Sequence, residues 1–212
     1  KVAVALGMEV WFYDNRPVAQ EVGEEMGWAY CDDLGKLFAG SDIVTVHTSA
    51  KDAHGNDNVN LLDTHLSALG GDRPSTSPRL FLNLARGNLH TPDALLDAVR
   101  AGAIRRAAVD VYPEEPGPGQ KSWDNPYADE PRVICTPHIG AATQEAQPRI
   151  ARRVASTVEA FNGYGTMRDC VYAPRTKMSV RDHAKGRVVL AVTHSVSRGT
   201  KKAVDDSIFE AG

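Results

Sequence analysis

The 212-residue sequence predicts an α/β protein built on a doubly wound parallel sheet. Between residues 9 and 161, short apolar runs rich in valine and isoleucine alternate with segments of helical pattern. This alternation is typical of parallel sheets with helices on both faces. Each candidate functional residue follows one of the apolar runs, at the edge where open α/β sheets bind their ligands.

The composition narrows the classes of function. Hydrophobic residues make up 42% and charged residues 24%, as in ordinary globular proteins. A net charge of −3 offers no basic surface to nucleic acid, and no apolar run approaches the roughly 18 residues of a membrane helix. The three cysteines, Cys31, Cys135 and Cys170, lack metal-ligand spacing and favour a reducing compartment. We therefore expect a cytoplasmic protein without a metal site or a membrane partner.

The hydrophobic periods and the turn residues define the expected elements. Helices are predicted at residues 1–6, 18–26, 33–39, 61–69, 92–101 and 143–161, and strands at residues 9–14, 28–30, 42–47, 80–84, 107–109 and 133–135. The connections 51–60 and 70–78 are longer than such loops usually are. In the last helix, Pro148 is tolerated only within the first turn.

The first long strand ends in Asp14. In a dinucleotide-binding βαβ unit, an acid at this place binds the adenosine ribose and favours NAD over NADP. A glycine-rich fingerprint lies about 20 residues before such an acid, but only thirteen residues precede Asp14. We therefore expect the sequence to begin inside a domain, with the fingerprint cut off at the amino end. The alternative for Asp14 is a solvated turn residue.

Later strands deliver further polar residues to the same edge. The strand over 42–47 leads to His47 and Thr48, where a plain strand-to-loop transition is an equal alternative. The strand over 80–84 leads to Arg86, whose guanidinium can hold a carboxylate with two parallel hydrogen bonds. Asp110 follows the next strand. His138 follows the last one, which Pro137 ends because proline cannot donate to a ladder.

The sequence pattern changes after residue 161. Residues 162–183 are a polar connector, and a strand over 187–194 and a helix over 201–209 follow. One strand and one helix cannot bury a core by themselves, so these residues are expected to open a second domain. The expected organisation is a nucleotide-binding domain over 1–161, a connector over 162–183 and a partial domain over 184–212.

Three motifs resemble those of the D-2-hydroxyacid dehydrogenase family: NLARG at 83–87, VDVYPEEP at 109–116 and TPHIGAATQEA at 136–146. The resemblance covers residues 1–174 and implies a Rossmann-like, NAD-binding fold. The tail over 184–212 is similar to the first half of an ACT regulatory domain, which some members of the family carry.

The family resemblance also implies a role for each candidate residue. Arg86 would bind the carboxylate and carbonyl of the substrate, Glu115 would pair with the histidine, and His138 would transfer the proton. Asp110 would face the nicotinamide amide and Asp14 the adenosine ribose. The implied cofactor contacts are Asp14, His47, Thr48, Leu84, Ala85, Arg86, Asp110, His138, Ile139, Gly140 and Ala141.

The implied activity is hydride transfer between NAD and a D-2-hydroxy acid. Within the family, the likeness is closest to the members that oxidise 3-phospho-D-glycerate in serine biosynthesis. It further implies a homodimer or homotetramer and an amino-acid effector, serine, at the ACT-like segment. Without the fingerprint, this stretch alone is expected to be inactive.

Two alternatives remain open. One is another dehydrogenase of the family, acting on glycerate, lactate or a similar 2-hydroxy acid. The other is a non-enzymatic, NAD-sensing protein of the corepressor kind, although the ACT-like tail argues against it. Binding of a peptide partner or of a keto acid by the full-length protein would discriminate between the two classes.

Overall fold

The computed structural model describes residues 2–14, 17–52, 55–117, 119–120 and 122–164, and it divides the chain into two compact units, 1–143 and 144–212. The predicted α/β class with a parallel sheet is confirmed. The elements, in chain order, are α1 (Val2–Ala5), β1 (Trp11–Phe12), α2 (Pro17–Glu25), β2 (Ala29–Tyr30), α3 (Leu34–Gly40), β3 (Ile43–Val46), β4 (Leu80–Asn83), α4 (Pro92–Arg100), β5 (Arg106–Val109), β6 (Val133–Cys135) and α5 (Ala146–Tyr164).

The four strands β3, β4, β5 and β6 form one parallel sheet in that spatial order. Ile43 pairs with Leu80, and Leu80 pairs in turn with Arg106. Because neighbouring strands run in the same direction, their carboxyl ends meet at one edge. Strands β1 and β2 form a separate parallel pair. The loops after β3, β4, β5 and β6 therefore project from one edge of the larger sheet.

The core of the first unit lies against one face of the larger sheet. Alternate residues along β3 are exposed and buried, as expected where one strand face packs on helices. Burying a large aliphatic or aromatic side chain contributes about 1.5–3 kcal/mol. The core includes Phe38, Val44, Val46, Leu62, Leu66, Leu69, Phe81, Leu89, Leu95, Val99, Val109 and Val133.

Side-chain caps fix the starts of two helices. The carboxylate of Asp33 accepts a hydrogen bond from the Lys36 N–H at the start of α3. At α4, the hydroxyl of Thr91 accepts from the Ala94 N–H. Such caps stabilise a helix by about 0.5–2 kcal/mol. Asp63 in turn accepts from both the N–H and the hydroxyl of Thr91, which ties the 61–69 segment to α4.

The predicted helix over 61–69 is wrong. The segment consists of turns with one 3₁₀ turn at Leu66–Ala68. The N–H groups of Asn60 and Leu62 donate to the carbonyls of Asn88 and Leu89, so the segment is anchored to a neighbouring loop where it begins. Residues 70 and 71 are both glycine, and the positive φ of Gly70 ends the turn.

Other boundaries shift by a few residues. Strand β1 is shorter than the predicted 9–14 because only two of its residues pair with β2. Helix α5 starts at Ala146 instead of residue 143, which puts Pro148 within its first turn, as required. Within the described residues, no helix is long and apolar enough to cross a membrane.

The predicted tail, with its strand over 187–194, its helix over 201–209 and its likeness to an ACT domain, lies outside the described residues. The organisation into 1–161, 162–183 and 184–212 stays a prediction.

Candidate active site

His138 lies three residues beyond the end of β6, in a turn of unusual backbone geometry. Its φ is +52°, a left-handed conformation that few residues other than glycine adopt. The N–H of His138 donates to the carbonyl of Thr136 at 3.0 Å, which closes the turn. The conformation is held in place by neighbouring groups, as strained residues at functional sites usually are.

The imidazole of His138 pairs with the carboxylate of Glu115. Its Nδ1 lies 2.8 Å from Oε2 and 2.9 Å from Oε1. The side chains of His138 and Glu115 are 48% and 36% exposed, so both are open to solvent and to a ligand. With Nδ1 held by the carboxylate, Nε2 is the nitrogen that faces away from Glu115. A carboxylate in this position fixes the tautomer of a histidine and stabilises its protonated form.

Asp110, at the end of β5, holds the loop that carries the histidine. One oxygen accepts from the Thr136 hydroxyl at 2.6 Å and the Ile139 N–H at 3.0 Å, and the other accepts from the Gly140 N–H at 3.1 Å. Burial disfavours the charged carboxylate, but these three hydrogen bonds outweigh it and hold the pKa of Asp110 below its usual range. Asp110 therefore stays ionised and shapes the loop on both sides of His138.

Asn83, the last residue of β4, organises the loop that carries Arg86. Its buried amide donates to the Arg86 carbonyl at 3.0 Å, and its carbonyl oxygen accepts from the Ala85 N–H at 3.0 Å. The guanidinium of Arg86 donates through Nη1 to the Ala85 carbonyl at 2.7 Å. Leu84 is 53% exposed at the same strand end. The structure thus presents Arg86 at the edge, with its guanidinium folded onto its own loop.

The remaining predicted cofactor contacts lie at other strand ends. His47, past β3, is exposed, and its Nε2 lies 3.1 Å from the Thr45 hydroxyl. Thr48 is half-buried beside it. Asp14 follows β1, where its carbonyl accepts from the Tyr30 hydroxyl at 3.3 Å. These residues belong to different loops from the Glu115–His138 pair.

One feature of the site fits a bound dinucleotide, and another limits the contacts that a dinucleotide could make there. Leu84 and the 138–141 loop leave an exposed edge at the carboxyl ends of β4 and β6, where such cofactors bind. The N–H groups of Ile139 and Gly140, however, already donate to Asp110. Ile139 and Gly140 would therefore meet a cofactor through carbonyl oxygens and van der Waals contact. Among the described residues, no group of histidine, cysteine or acidic side chains could hold a metal.

Three residues that stabilise the site could not be identified individually from the sequence. The hydroxyl of Thr136 binds Asp110. Tyr112 donates its N–H to Glu115 at 3.2 Å. Gly87 leaves no space for a side chain, since a Cβ there would lie 1.9 Å from the Tyr112 carbonyl oxygen. All three lie inside the recognised motifs, and that is the only sequence signal that could have pointed to them.

A parallel sheet with an imidazole–carboxylate pair and an arginine at the carboxyl ends of its strands defines an α/β ligand-binding domain. The family comparison is more specific. Residues 1–140 match the family described as D-isomer specific 2-hydroxyacid dehydrogenase, NAD binding domain, and the chain belongs to this family. The cofactor of this family is NAD.

Curated relatives include D-3-phosphoglycerate dehydrogenases. The chain is 31% identical to that of Dictyostelium discoideum over 182 residues, which cover 84% of this chain and 41% of the relative. It is 28% identical to that of Escherichia coli K12, covering 100% of this chain and 47% of the relative. The chain therefore spans less than half the length of these two relatives.

Solved structures share the fold. The apo form of D-mandelate dehydrogenase from Rhodotorula graminis matches 82% of this chain and 48% of its own, with a TM-score of 0.60 and 25% identity. D-lactate dehydrogenase from Aquifex aeolicus, complexed with NAD and lactic acid, matches 76% of this chain and 48% of its own, with a TM-score of 0.57 and 24% identity.

Proposed function

We propose that the protein containing this chain is an NAD-dependent D-2-hydroxyacid dehydrogenase, with Arg86, Glu115 and His138 as its catalytic residues. The observation that carries the proposal is the contact of 2.8 Å between His138 and Glu115 at the ligand edge of the sheet. The carboxylate holds Nδ1 and leaves Nε2 facing away from Glu115, which is the geometry that proton transfer to a bound substrate needs.

The chemistry requires a proton donor beside the keto carbon. When bound, the cofactor would supply the hydride as NADH and accept it as NAD⁺. In the reducing direction, negative charge develops on the C2 oxygen of the keto acid, and His138 Nε2 donates a proton to it. Glu115 stabilises the imidazolium before that transfer and keeps Nε2 directed away from itself. In the oxidising direction, the same nitrogen removes the hydroxyl proton.

Arg86 supplies fixed positive charge. Its guanidinium has donors beyond the one that binds the Ala85 carbonyl. Turning the exposed side chain toward a bound acid would let two of these donors hold the substrate carboxylate. That contact would orient the acid and stabilise the charge that develops in the transition state.

We propose 3-phospho-D-glycerate, oxidised to 3-phosphohydroxypyruvate in serine biosynthesis, as the substrate. The similarity to curated D-3-phosphoglycerate dehydrogenases supports this choice. The second candidate is another 2-hydroxy acid, favoured by the 25% identical D-mandelate dehydrogenase. A homodimer or homotetramer, a serine effector at residues 184–212 and a cytoplasmic location complete the proposal.

The test is NADH oxidation by the full-length gene product with 3-phosphohydroxypyruvate and with unphosphorylated hydroxypyruvate. His138→Ala is expected to lower kcat/KM by roughly 10²- to 10⁴-fold. Glu115→Gln is expected to lower it strongly as well, whereas Glu114→Gln, at the neighbouring exposed carboxylate, should leave it unchanged.

Preference for the phosphorylated keto acid would support the serine-pathway assignment. Preference for hydroxypyruvate would favour the second candidate. If neither compound is reduced although NADH binds, the catalytic assignment fails and an NAD-sensing role replaces it.

A further inference from the structure

Tyr112 lies in the turn between Asp110 and Glu115 and is 6% exposed. Its side chain and its backbone make separate contacts with the loops that carry the proposed catalytic residues. Tyrosine differs from phenylalanine only by its hydroxyl. The hydrogen bonds of that hydroxyl therefore distinguish Tyr112 from a phenylalanine at the same position.

The hydroxyl of Tyr112 reaches the histidine turn. It donates to the carbonyl of Thr136 at 2.9 Å. The same carbonyl accepts the N–H of His138 at 3.0 Å. The carbonyl that closes the left-handed turn at His138 is therefore held from a second side by Tyr112.

The backbone of Tyr112 contacts Glu115 within its own turn and the loop that follows Arg86. Its N–H donates to Glu115 Oε1 at 3.2 Å, the oxygen that also lies 2.9 Å from the histidine. On the arginine side, a Cβ at Gly87 would lie 2.0 Å from the Tyr112 carbonyl carbon and 2.6 Å from the Pro113 nitrogen. The loop that follows Arg86 thus packs directly on the peptide bond after Tyr112.

The ring of Tyr112 packs against two other aromatic rings. Trp123 packs edge-on against it with ring centroids 4.5 Å apart, and Tyr127 lies 6.1 Å away on the same cluster. Trp123 also donates its indole N–H to the carbonyl of Glu114 at 3.1 Å. Burial, followed by the nearby Cys135, raises the pKa of Tyr112, so the hydroxyl stays protonated and available as a donor.

We propose that the Tyr112 hydroxyl is a positioning group for the Glu115–His138 pair. It sets the His138 turn relative to the Glu115 carboxylate, which the backbone of the same residue holds. The proposal rests on the proposed dehydrogenase function, since the pair it positions is the proposed proton donor. A shift of about 1 Å in such a pair is enough to slow a reaction by about 10²-fold.

The first test compares Tyr112→Phe with Tyr127→Phe in the full-length gene product. Tyr127 is the matched control because its hydroxyl is buried in the same cluster and has no hydrogen-bond partner among the described residues. Tyr112→Phe is expected to lower kcat about tenfold while the KM values for keto acid and NADH change less than twofold. Tyr127→Phe should keep the kcat of the wild type. Equal kcat values for the two variants would overturn the proposal.

The second test does not depend on turnover. Imidazole signals of ¹⁵N-histidine-labelled protein are recorded for both variants, and the His138 signal is identified by its loss in His138→Gln. Tyr112→Phe should shift this signal, and Tyr127→Phe should not. An unshifted signal in Tyr112→Phe would also overturn the proposal. If the wild type reduces no keto acid but the signal shifts, the positioning role holds and the dehydrogenase assignment fails.

Discussion

At the scale of single residues, two histidines illustrate how surroundings decide what an imidazole does. His138 is half-exposed and pairs with a carboxylate, which suits a group that takes up and releases a proton. His90 is 1% exposed, lies edge-on against Phe81, and has one ring nitrogen within 3.1 Å of the Thr91 carbonyl. Its other ring nitrogen, Nε2, is buried and has no partner among the described residues. His90 is therefore a core residue that must stay neutral.

This burial predicts a pH dependence of stability. Burial lowers the pKa of His90, against the opposing effects of the Thr91 carbonyl and the Asp63 charge. In the unfolded chain, a histidine titrates near its ordinary pKa of about 6.5. Between the two pKa values the unfolded state binds more protons, so the free energy of unfolding decreases as the pH falls below about 7. The decrease is at most about 1.4 kcal/mol per pH unit for one group.

Urea unfolding between pH 5.5 and 7.5, for the wild type and for His90→Phe, measures this effect. The stability of the wild type should fall on acidification, and that of the variant should change less. The carboxylates whose pKa values are lowered titrate below this window; they are Asp33, Asp42, Asp110 and Glu130. Parallel pH profiles for the two proteins would contradict the prediction.

At the scale of elements, the 61–69 segment shows that a connection between two strands can contribute side chains to the hydrophobic core. Leu62 is 3% exposed and Leu66 is fully buried, whereas Leu61 beside them is 38% exposed. The segment packs on α3 and α4 without being a regular helix. Its contribution to stability comes from leucine burial and from the anchor through Asp63, not from helical hydrogen bonds.

Two alanine substitutions compare a buried leucine of this segment with an exposed one. Leu62→Ala is expected to destabilise the fold by about 2–5 kcal/mol, because it removes buried methyl groups and leaves a cavity. Leu61→Ala, on the exposed side of the same turn, should change the free energy of unfolding by less than about 0.5 kcal/mol. Urea denaturation of both variants checks the contrast. Similar losses would mean that the segment does not pack as the structure has it.

The same scale shows what a sequence can predict and what it cannot. Strands β3 to β6 follow from continuous apolar runs, and β6 matches its predicted bounds of 133–135. The segment 61–69 misled the prediction because its leucine spacing of four and three, from Leu62 to Leu69, is also that of a helix. Its early hydrogen bonds go to residues 88 and 89, which local periodicity does not reveal.

At the scale of the whole molecule, the parallel sheet explains why widely separated motifs meet. Glu115 and His138 are 23 residues apart, yet they come into contact because β5 and β6 are neighbours with their carboxyl ends at one edge. The topology therefore made a shared edge predictable. The supports from Asp110 and Tyr112 were not predictable, since they depend on where individual hydrogen bonds close in three dimensions.

This architecture also predicts how the 212-residue polypeptide behaves by itself. Its sequence contains no Gly-x-Gly-x-x-Gly, the fingerprint by which a strand–helix turn approaches the diphosphate of a dinucleotide. The candidate edge can contribute contacts from β4 and β6, but the N–H groups of Ile139 and Gly140 are already bound to Asp110. We therefore expect NADH to bind the isolated polypeptide at least about tenfold more weakly than the full-length gene product, a loss of about 1.4 kcal/mol.

A titration of NADH fluorescence with both proteins measures the difference, after a cooperative urea transition has shown that each is folded. No NADH oxidation by the isolated polypeptide is expected with either keto acid. Equal affinities would mean that the edge formed by β4 and β6 suffices for the cofactor without a fingerprint. Turnover by the 212 residues alone would go further, since it would show that Arg86, Glu115 and His138 need no other segment to act.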